Sequence, residues 1–244
     1  MKLLLTNDDG IDGEGLQILA QTLKKEHDVW IIAPDSNRSA VSNGITISRS
    51  LNIKQLDEKT FTSSGLPADC VLTGIYSNLI PSNVDMVLSG INRGFNLGTD
   101  IVYSGTAAAA RQAVILGIPA LALSVESVNG EWKYKALADF TLKNLDTLKK
   151  LYTPNVFLNI NALSLDSYKD VQFTNVSVRK YKDTIKVTNT DSGDMVSSFE
   201  GGTAITTGCS NNDYEVVQRG NISISRVIAE PVSLDNEIAV KFLL

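Results

Sequence analysis

Two acids stand side by side at Asp8 and Asp9, just after the apolar run Leu3-Leu4-Leu5 and the polar pair Thr6-Asn7. Adjacent carboxylates repel, and burying an unpaired charge is costly. A hard divalent cation between or beside them removes the conflict, because such cations take carboxylates, amide oxygens and hydroxyls. Ser39 and Asn92 can complete that oxygen set. The dipeptide by itself fits a helix cap or a turn on Asp9-Gly10 equally well. The balance moves toward a metal because other polar clusters accompany it. They are Asp35-Ser36-Asn37-Arg38-Ser39, Asn92-Arg93-Gly94-Phe95-Asn96 and Ser104-Gly105-Thr106.

The segment SGINRGFNLGTD holds two asparagines, three glycines and an arginine, a composition expensive in conformational entropy if nothing is bound. Asn92 and Asn96 can offer amide oxygens to a cation or N–H donors to a phosphoryl oxygen. Arg38 and Arg93 can neutralise charge on a phosphoryl group or simply face solvent, and the asparagines are the stronger candidates. In SGTAAAA, Ser104, Gly105 and Thr106 open a helix with only methyl side chains behind them. Such a start leaves backbone N–H groups available to an anion, although a plain serine N-cap is the ordinary alternative.

These clusters need elements that bring them together. Residues 3–6 read as a buried strand, a glycine-broken turn follows, and apolar positions at helical spacing predict a helix over 15–25. Strands are expected at 29–33, 86–88, 120–123 and 155–161, with a strand or hairpin arm at 45–53. Helices are expected at 67–79 and 105–117, and an amphipathic one within 131–151. Past Asn161 the texture changes to period-2 alternation rich in β-branched residues, over 171–190 and 214–231. The predicted fold is α/β, a Rossmann-like, mostly parallel sheet flanked by helices, with a β-rich C-terminal extension of hairpin arms. Residues 1–161 form the core that carries the site, and 162–244 complete the fold and contact another subunit. In open α/β sheets ligands bind outside the carboxyl ends of the strands, where the polar clusters fall.

Composition narrows the chemistry further. A net charge of −5 and a pI near 5.0 argue against general affinity for nucleic acid or an anionic membrane, so a phosphate must be held by local groups. Cys70 and Cys209 fit no metal spacing and no disulfide framework, which suits the cytoplasm. The single histidine, His27 in KKEHDV, reads as a surface residue between a helix tail and a strand. Unless His27 itself serves, this excludes a Ser-His-Asp triad, a phosphohistidine mechanism and histidine-rich zinc sites.

The stretches TNDDG, APDSNRSAVSNGIT, VLSGINRGFNLGTDIVYSGTAAAA and GIPALALS, in that order, resemble the successive motifs of the SurE family of survival-protein, metal-dependent nucleotidases. The resemblance runs through roughly the first 125 residues. It implies a Rossmann-like core with an extended β-rich C-terminal part, assembled as dimers or tetramers. It also implies hydrolysis of nucleoside 5′- or 3′-monophosphates with one divalent cation, Mg²⁺ or Mn²⁺, with Ca²⁺ able to occupy the same oxygens. Carried over residue by residue, the metal ligands are Asp8, Asp9, Ser39 and Asn92, and the phosphate-site positions are Asn96, Ser104, Gly105 and Thr106. Where the family usually reads HAPG after NDDG this chain reads IDGEG, and NDYEVVQRGNISISRV replaces the usual pattern near the C-terminus.

The mechanism this implies is in-line attack of a cation-bound water on phosphorus. Asp8 or Asp9 accepts the water's proton, and Asn96 and the Ser104–Thr106 helix start hold the phosphoryl oxygens. No histidine lies nearby to activate a serine, so direct attack by water is expected over a phosphoserine intermediate. The alternative is a non-catalytic phosphate- and metal-binding protein on the same scaffold. A haloacid-dehalogenase-type phosphatase needs a DxD spacing that TNDDG lacks, and transfer to a sugar would mark a nucleotide-sugar transferase. A receiver-type module needs a phosphoacceptor aspartate where this chain has Ser89-Gly90-Ile91-Asn92.

Overall fold

The structure, a computed structural model, describes residues 1–233. The chain alternates strand and helix through β1 (Lys2–Thr6), α1 (Glu14–Leu23), β2 (Asp28–Pro34), β3 (Ile53–Asp57), β4 (Thr60–Ser63), α2 (Pro67–Tyr76) and β5 (Met86–Arg93). A 3₁₀ turn at Gly98–Val102 leads into α3 (Gly105–Ile115), β6 (Ala120–Glu126), α4 (Lys135–Lys150) and β7 (Val156–Leu163). The remainder is β8 (Val171–Thr174), β9 (Val178–Asn189), β10 (Met195–Thr207), α5 (Asp213–Gln218) and β11 (Ile222–Ile228).

Nine strands form one sheet in the order β3-β4-β2-β1-β5-β6-β7-β11-β8. The run from β4 through β2, β1, β5, β6 and β7 is parallel throughout. Strands of a parallel sheet are covered on both faces and so read as continuous apolar runs. This accounts for Leu3-Leu4-Leu5: Leu3 and Leu5 join the core under α1 and α4, and Leu4 joins the opposite core under α2 and α3. From β1 the chain goes first to β2 on one side and later to β5 on the other, so the strand order reverses at β1. That reversal opens a crevice at the carboxyl ends of β1 and β5. Among the described residues no helix is long and apolar enough to cross a membrane.

Three expectations change. Residues 44–52 form no strand; Asp69 of α2 accepts hydrogen bonds from the Thr46 backbone N–H (2.8 Å) and hydroxyl (2.7 Å), which replaces a ladder partner. The pairing in this region is the hairpin of β3 with β4 instead. The alternation over 214–231 hides α5, whose start is capped by Asn212 accepting from the Glu215 N–H at 3.0 Å. The helix expected over 67–79 ends at Tyr76. In the C-terminal part, β11 pairs antiparallel with β7 and parallel with β8, extending the main sheet, while β9 and β10 form a separate two-stranded hairpin.

Candidate active site

The turn after β1 is built by Asn7. Its Nδ2 donates to the Gly10 carbonyl (2.8 Å) and its Oδ1 accepts from the Gly10 N–H (3.2 Å), and Gly10 takes a φ of 101°. Asn7 therefore shapes the loop and leaves both acids free. Nor do the acids cap α1, whose N-cap is Gly13 with no side-chain bond. Asp8 is 4% exposed. Its carboxylate accepts a hydrogen bond from the Thr106 hydroxyl, and its backbone carbonyl accepts one from the Arg38 N–H at 2.7 Å. Burial pushes the Asp8 carboxyl up to about 6; the Thr106 hydroxyl pulls it down and the Asp9 charge adds to the rise. Asp9 is half-buried, with Oδ2 accepting from the Arg93 N–H at 3.1 Å. Its carboxyl is also raised, by burial first, against the pull of Arg93.

Asn92 comes from the end of β5, where the pairing with β6 shifts register between Ser89 and Asn92. Gly90 makes this close passage possible: a Cβ there would lie 2.3 Å from the Leu123 carbonyl oxygen, and its φ is 130°. The Asn92 Nδ2 donates to the Gly94 carbonyl at 2.9 Å, which leaves its oxygen without a protein partner among the described residues. Ser39 is exposed on the loop after β2, its N–H donating to Asn37 Oδ1 at 2.9 Å.

Ser104 is the N-cap of α3, its Oγ accepting from the Ala107 N–H at 3.0 Å. Gly105 has no room for a side chain, since a Cβ would sit 2.8 Å from the Asp8 Cβ. Thr106 is fully buried and spends its hydroxyl on Asp8. Its hydroxyl and its backbone both pull the Asp8 carboxyl down, so Thr106 steadies an acid.

Asp8, Ser39, Asn92, Asn96 and Ser104 line one cleft of about 1010 Å³; Asp9, Gly105 and Thr106 do not line it. Arg93 also lines it, with its guanidinium 4.9 Å from the Trp132 ring centre, whereas Arg38 pairs with Asp35 at 2.9 Å. His27 precedes β2 at the amino end of the sheet and lines no part of the cleft. Sequence reasoning missed the opposite wall, made by Arg179, Lys180 and Tyr181 of β9 and Phe199 of β10. It is tied down where Arg179 pairs with Asp100 (2.9 Å) and the Tyr181 hydroxyl donates to Asp100 (2.7 Å). The mixed basic and aromatic run VRKYK was the available signal, masked by the period-2 alternation around it.

Among the described residues no group of three or more His, Cys, Asp or Glu could hold a metal. A cation here would be held by two carboxylates, a hydroxyl and an amide oxygen, a set that fits a hard divalent ion. The Asp8 carboxyl stays raised by burial and by the like charge beside it although the Thr106 hydroxyl and nearby backbone pull it down, and a hard cation would supply the missing compensation.

Fold and cleft together define an α/β protein of the doubly wound kind with its cleft at the topological switch point. The chain belongs to the family described as survival protein SurE, whose profile matches residues 3–183. It is 39% identical over 209 residues to a 5′-nucleotidase SurE of Clostridium botulinum, covering 82% of each chain. It is 36% identical over 245 residues to that of Geotalea uraniireducens, covering 99% of this chain and 98% of the relative. The crystal structure of the SurE protein from Aquifex aeolicus superposes with a TM-score of 0.81 at 30% identity, covering 95% of each chain.

Proposed function

We propose that this protein hydrolyses nucleoside monophosphates to nucleoside and phosphate, as a metal-dependent 5′- and/or 3′-nucleotidase. The observation that carries the reading is the convergence of Asp8, Ser39, Asn92, Asn96 and Ser104, from separate loops, on one cleft. The names of its relatives, 5′-nucleotidases at 36–39% identity, support the same reaction. Asp8, Asp9, Ser39 and Asn92 would hold one Mg²⁺ or Mn²⁺. When bound, such an ion supplies Lewis-acid polarisation of a phosphoryl oxygen and a more acidic water.

The remaining steps belong to the chain. A carboxylate oxygen of the Asp8–Asp9 pair takes the proton of the attacking water. Asn96, and Ser104 at the α3 helix start that Gly105 and Thr106 continue, hold the phosphoryl oxygens as negative charge shifts toward the leaving group. Arg179, Lys180, Tyr181 and Phe199 face the nucleoside across the cleft. The protein works in the cytoplasm, in keeping with two unpaired cysteines, Cys70 and Cys209. It associates with copies of itself through the exposed C-terminal hairpin, an element that is marginal when isolated.

Phosphate release from a panel of nucleoside monophosphates, with EDTA and then with Mg²⁺ or Mn²⁺ restored, tests the reading. Asp8→Asn is expected to cost on the order of a thousandfold in turnover while the protein stays folded. Its melting temperature holds or rises, because a buried carboxylate has become a neutral amide. Metal-dependent phosphate binding without release in the wild type would instead establish a non-catalytic binding protein.

A further inference from the structure

Beneath the cleft lie three fully buried polar side chains, Ser124 on β6 and Asn159 and Asn161 on β7. On one face β7 presents Leu158, Ile160 and Ala162 to the core under α1 and α4. On the other, Phe157 is followed by Asn159 and Asn161, where a strand built only for stability would continue apolar. Burying amides costs free energy unless every polar atom is paired, and the Asn159 Oδ1 has no partner among the described residues.

All three side chains converge on Asn96. The Asn161 Oδ1 accepts from the Asn96 N–H at 2.9 Å, and its Nδ2 donates to the Asn96 carbonyl at 3.1 Å. The Asn159 Nδ2 donates to the same carbonyl at 2.8 Å. Ser124 Oγ accepts from the Asn96 side-chain amide at 2.8 Å. Asn96 lies beyond β5, which ends at Arg93, so no neighbouring strand can supply its backbone partners. The Asn161 amide closes the pair of hydrogen bonds that a neighbouring strand residue would make. A hydroxyl both donates and accepts, so Ser124 can hold either edge of the Asn96 amide and present the other to the cleft.

We infer that Asn161, assisted by Asn159 and Ser124, is a positioning residue that fixes the backbone and side chain of Asn96 so that its amide meets a phosphoryl oxygen already oriented. The inference rests on the phosphate chemistry proposed above. It explains why a strand interior accepts buried amides and an unpaired oxygen: stability is given up for a fixed donor.

The test compares Asn161→Ala and Ser124→Ala with Thr141→Ala. Thr141 is a buried hydroxyl in α4 that donates to the Leu137 carbonyl (2.8 Å) and lines no part of the cleft. Each protein is assayed for kcat and KM on a nucleoside monophosphate, for inorganic phosphate affinity by calorimetry with Mg²⁺ present, for Mg²⁺ affinity, and for thermal midpoint. The two cleft-side variants are expected to lose about 10- to 100-fold in kcat and to bind phosphate more weakly. Their Mg²⁺ affinity should stay within about twofold of wild type, because the side chains removed bond Asn96 and not a proposed cation ligand, and the pairing of Ser124 with Asn92 in the sheet is made by backbone, which both variants keep. Thr141→Ala lowers the midpoint only.

A lowered midpoint in Ser124→Ala and Asn161→Ala, with kcat, KM and phosphate affinity unchanged, would overturn the inference. If Asn161→Ala fails to fold, Ser124→Ala decides alone, since it removes one oxygen and leaves the backbone clamp. If wild type releases no phosphate but the variants still bind inorganic phosphate more weakly, the nucleotidase reading fails and the positioning role stands. Equal phosphate binding in wild type and Ser124→Ala overturns the positioning role whatever the turnover.

Discussion

β1 and β9 both deliver residues to the cleft, and as strands they have almost nothing else in common. β1 is short, apolar and buried on both faces, and its chemistry begins only where the strand ends, at Asp8. β9 is twelve residues long, exposed along nearly its whole length, and alternates basic and polar with apolar side chains. A buried strand end cannot shift without disturbing two packed cores, so groups that must hold an atomic position are rooted there. A hairpin wall is fixed only by local anchors. Here these include the Arg179 N–H on Thr99 Oγ1 at 3.0 Å and the contacts of Arg179 and Tyr181 with Asp100. The cleft thus has a rigid floor, where the proposed phosphate site lies, and a wall held only by local anchors.

The sharpest way to break this contrast is to disturb the floor without replacing a proposed metal ligand. In Gly105→Ala the new methyl would lie 2.8 Å from the Asp8 Cβ and 3.0 Å from its Oδ2. Alanine normally favours a helix over glycine, yet here the methyl must push Asp8 or α3 aside. We expect turnover to fall by about 100-fold from a displacement of about an ångström, and stability to drop by about 1–3 kcal/mol. Phosphate release and urea denaturation measure the two effects. A fully active Gly105→Ala would mean that the floor adapts as readily as the wall.

A smaller effect is expected where wall meets floor. Asp213, fully buried, accepts from the N–H groups of Gly98 (2.8 Å), Ser177 (3.0 Å) and Tyr214 (2.8 Å), joining the loop that leads to Ser104 to the base of the hairpin. Asparagine has one acceptor oxygen and would set its NH₂ group against a backbone N–H. Asp213→Asn should therefore cost about 1–3 kcal/mol of stability. Its kinetic signature should be a raised KM with kcat nearly kept, because the wall loosens and the floor does not. A fall in kcat at constant KM would place Asp213 with the floor and blur the distinction.

The same contrast separates what the sequence discloses from what it hides. The parallel core is legible because its strands are unbroken apolar runs stopped by polar or proline residues, as in Val29–Pro34 and Met86–Ser89. The residues that line the floor of the cleft are legible because polar clusters follow such runs. What stays hidden depends on partners remote in sequence. Nothing near Thr46 announces that Asp69 will take its hydrogen bonds, and nothing in NVFLNIN shows that Asn159 and Asn161 meet Asn96, 63 and 65 residues earlier. The hairpin wall is hidden for a different reason: period-2 alternation reports a strand with two unlike faces but not what either face meets. The short α5 is lost within the same alternation because its signal is one capping residue, Asn212.

The smallest expected effect on the fold, and the clearest on assembly, lies at the far part of the hairpin. Ile185 and Val187 are 68% and 59% exposed on one face of β9, with Phe199 paired opposite Ile185. Ile185 and Val187 lie outside the cleft lining. The double variant Ile185→Ser, Val187→Ser removes exposed methyl groups whose cross-strand neighbour in the monomer is Phe199, so its stability should stay within about 1 kcal/mol of wild type. If the hairpin joins two copies of the chain, sedimentation should show an assembly in the wild type and a species near 26.4 kDa in the variant. The cleft residues Asp8, Asn92, Asn96 and Ser104 are untouched, so kcat should hold. An unchanged sedimenting mass would remove the hairpin face from the assembly. A collapse of kcat with the mass would mean that the partner copy completes the wall, and that the adaptable half of the site is built only in the assembled state.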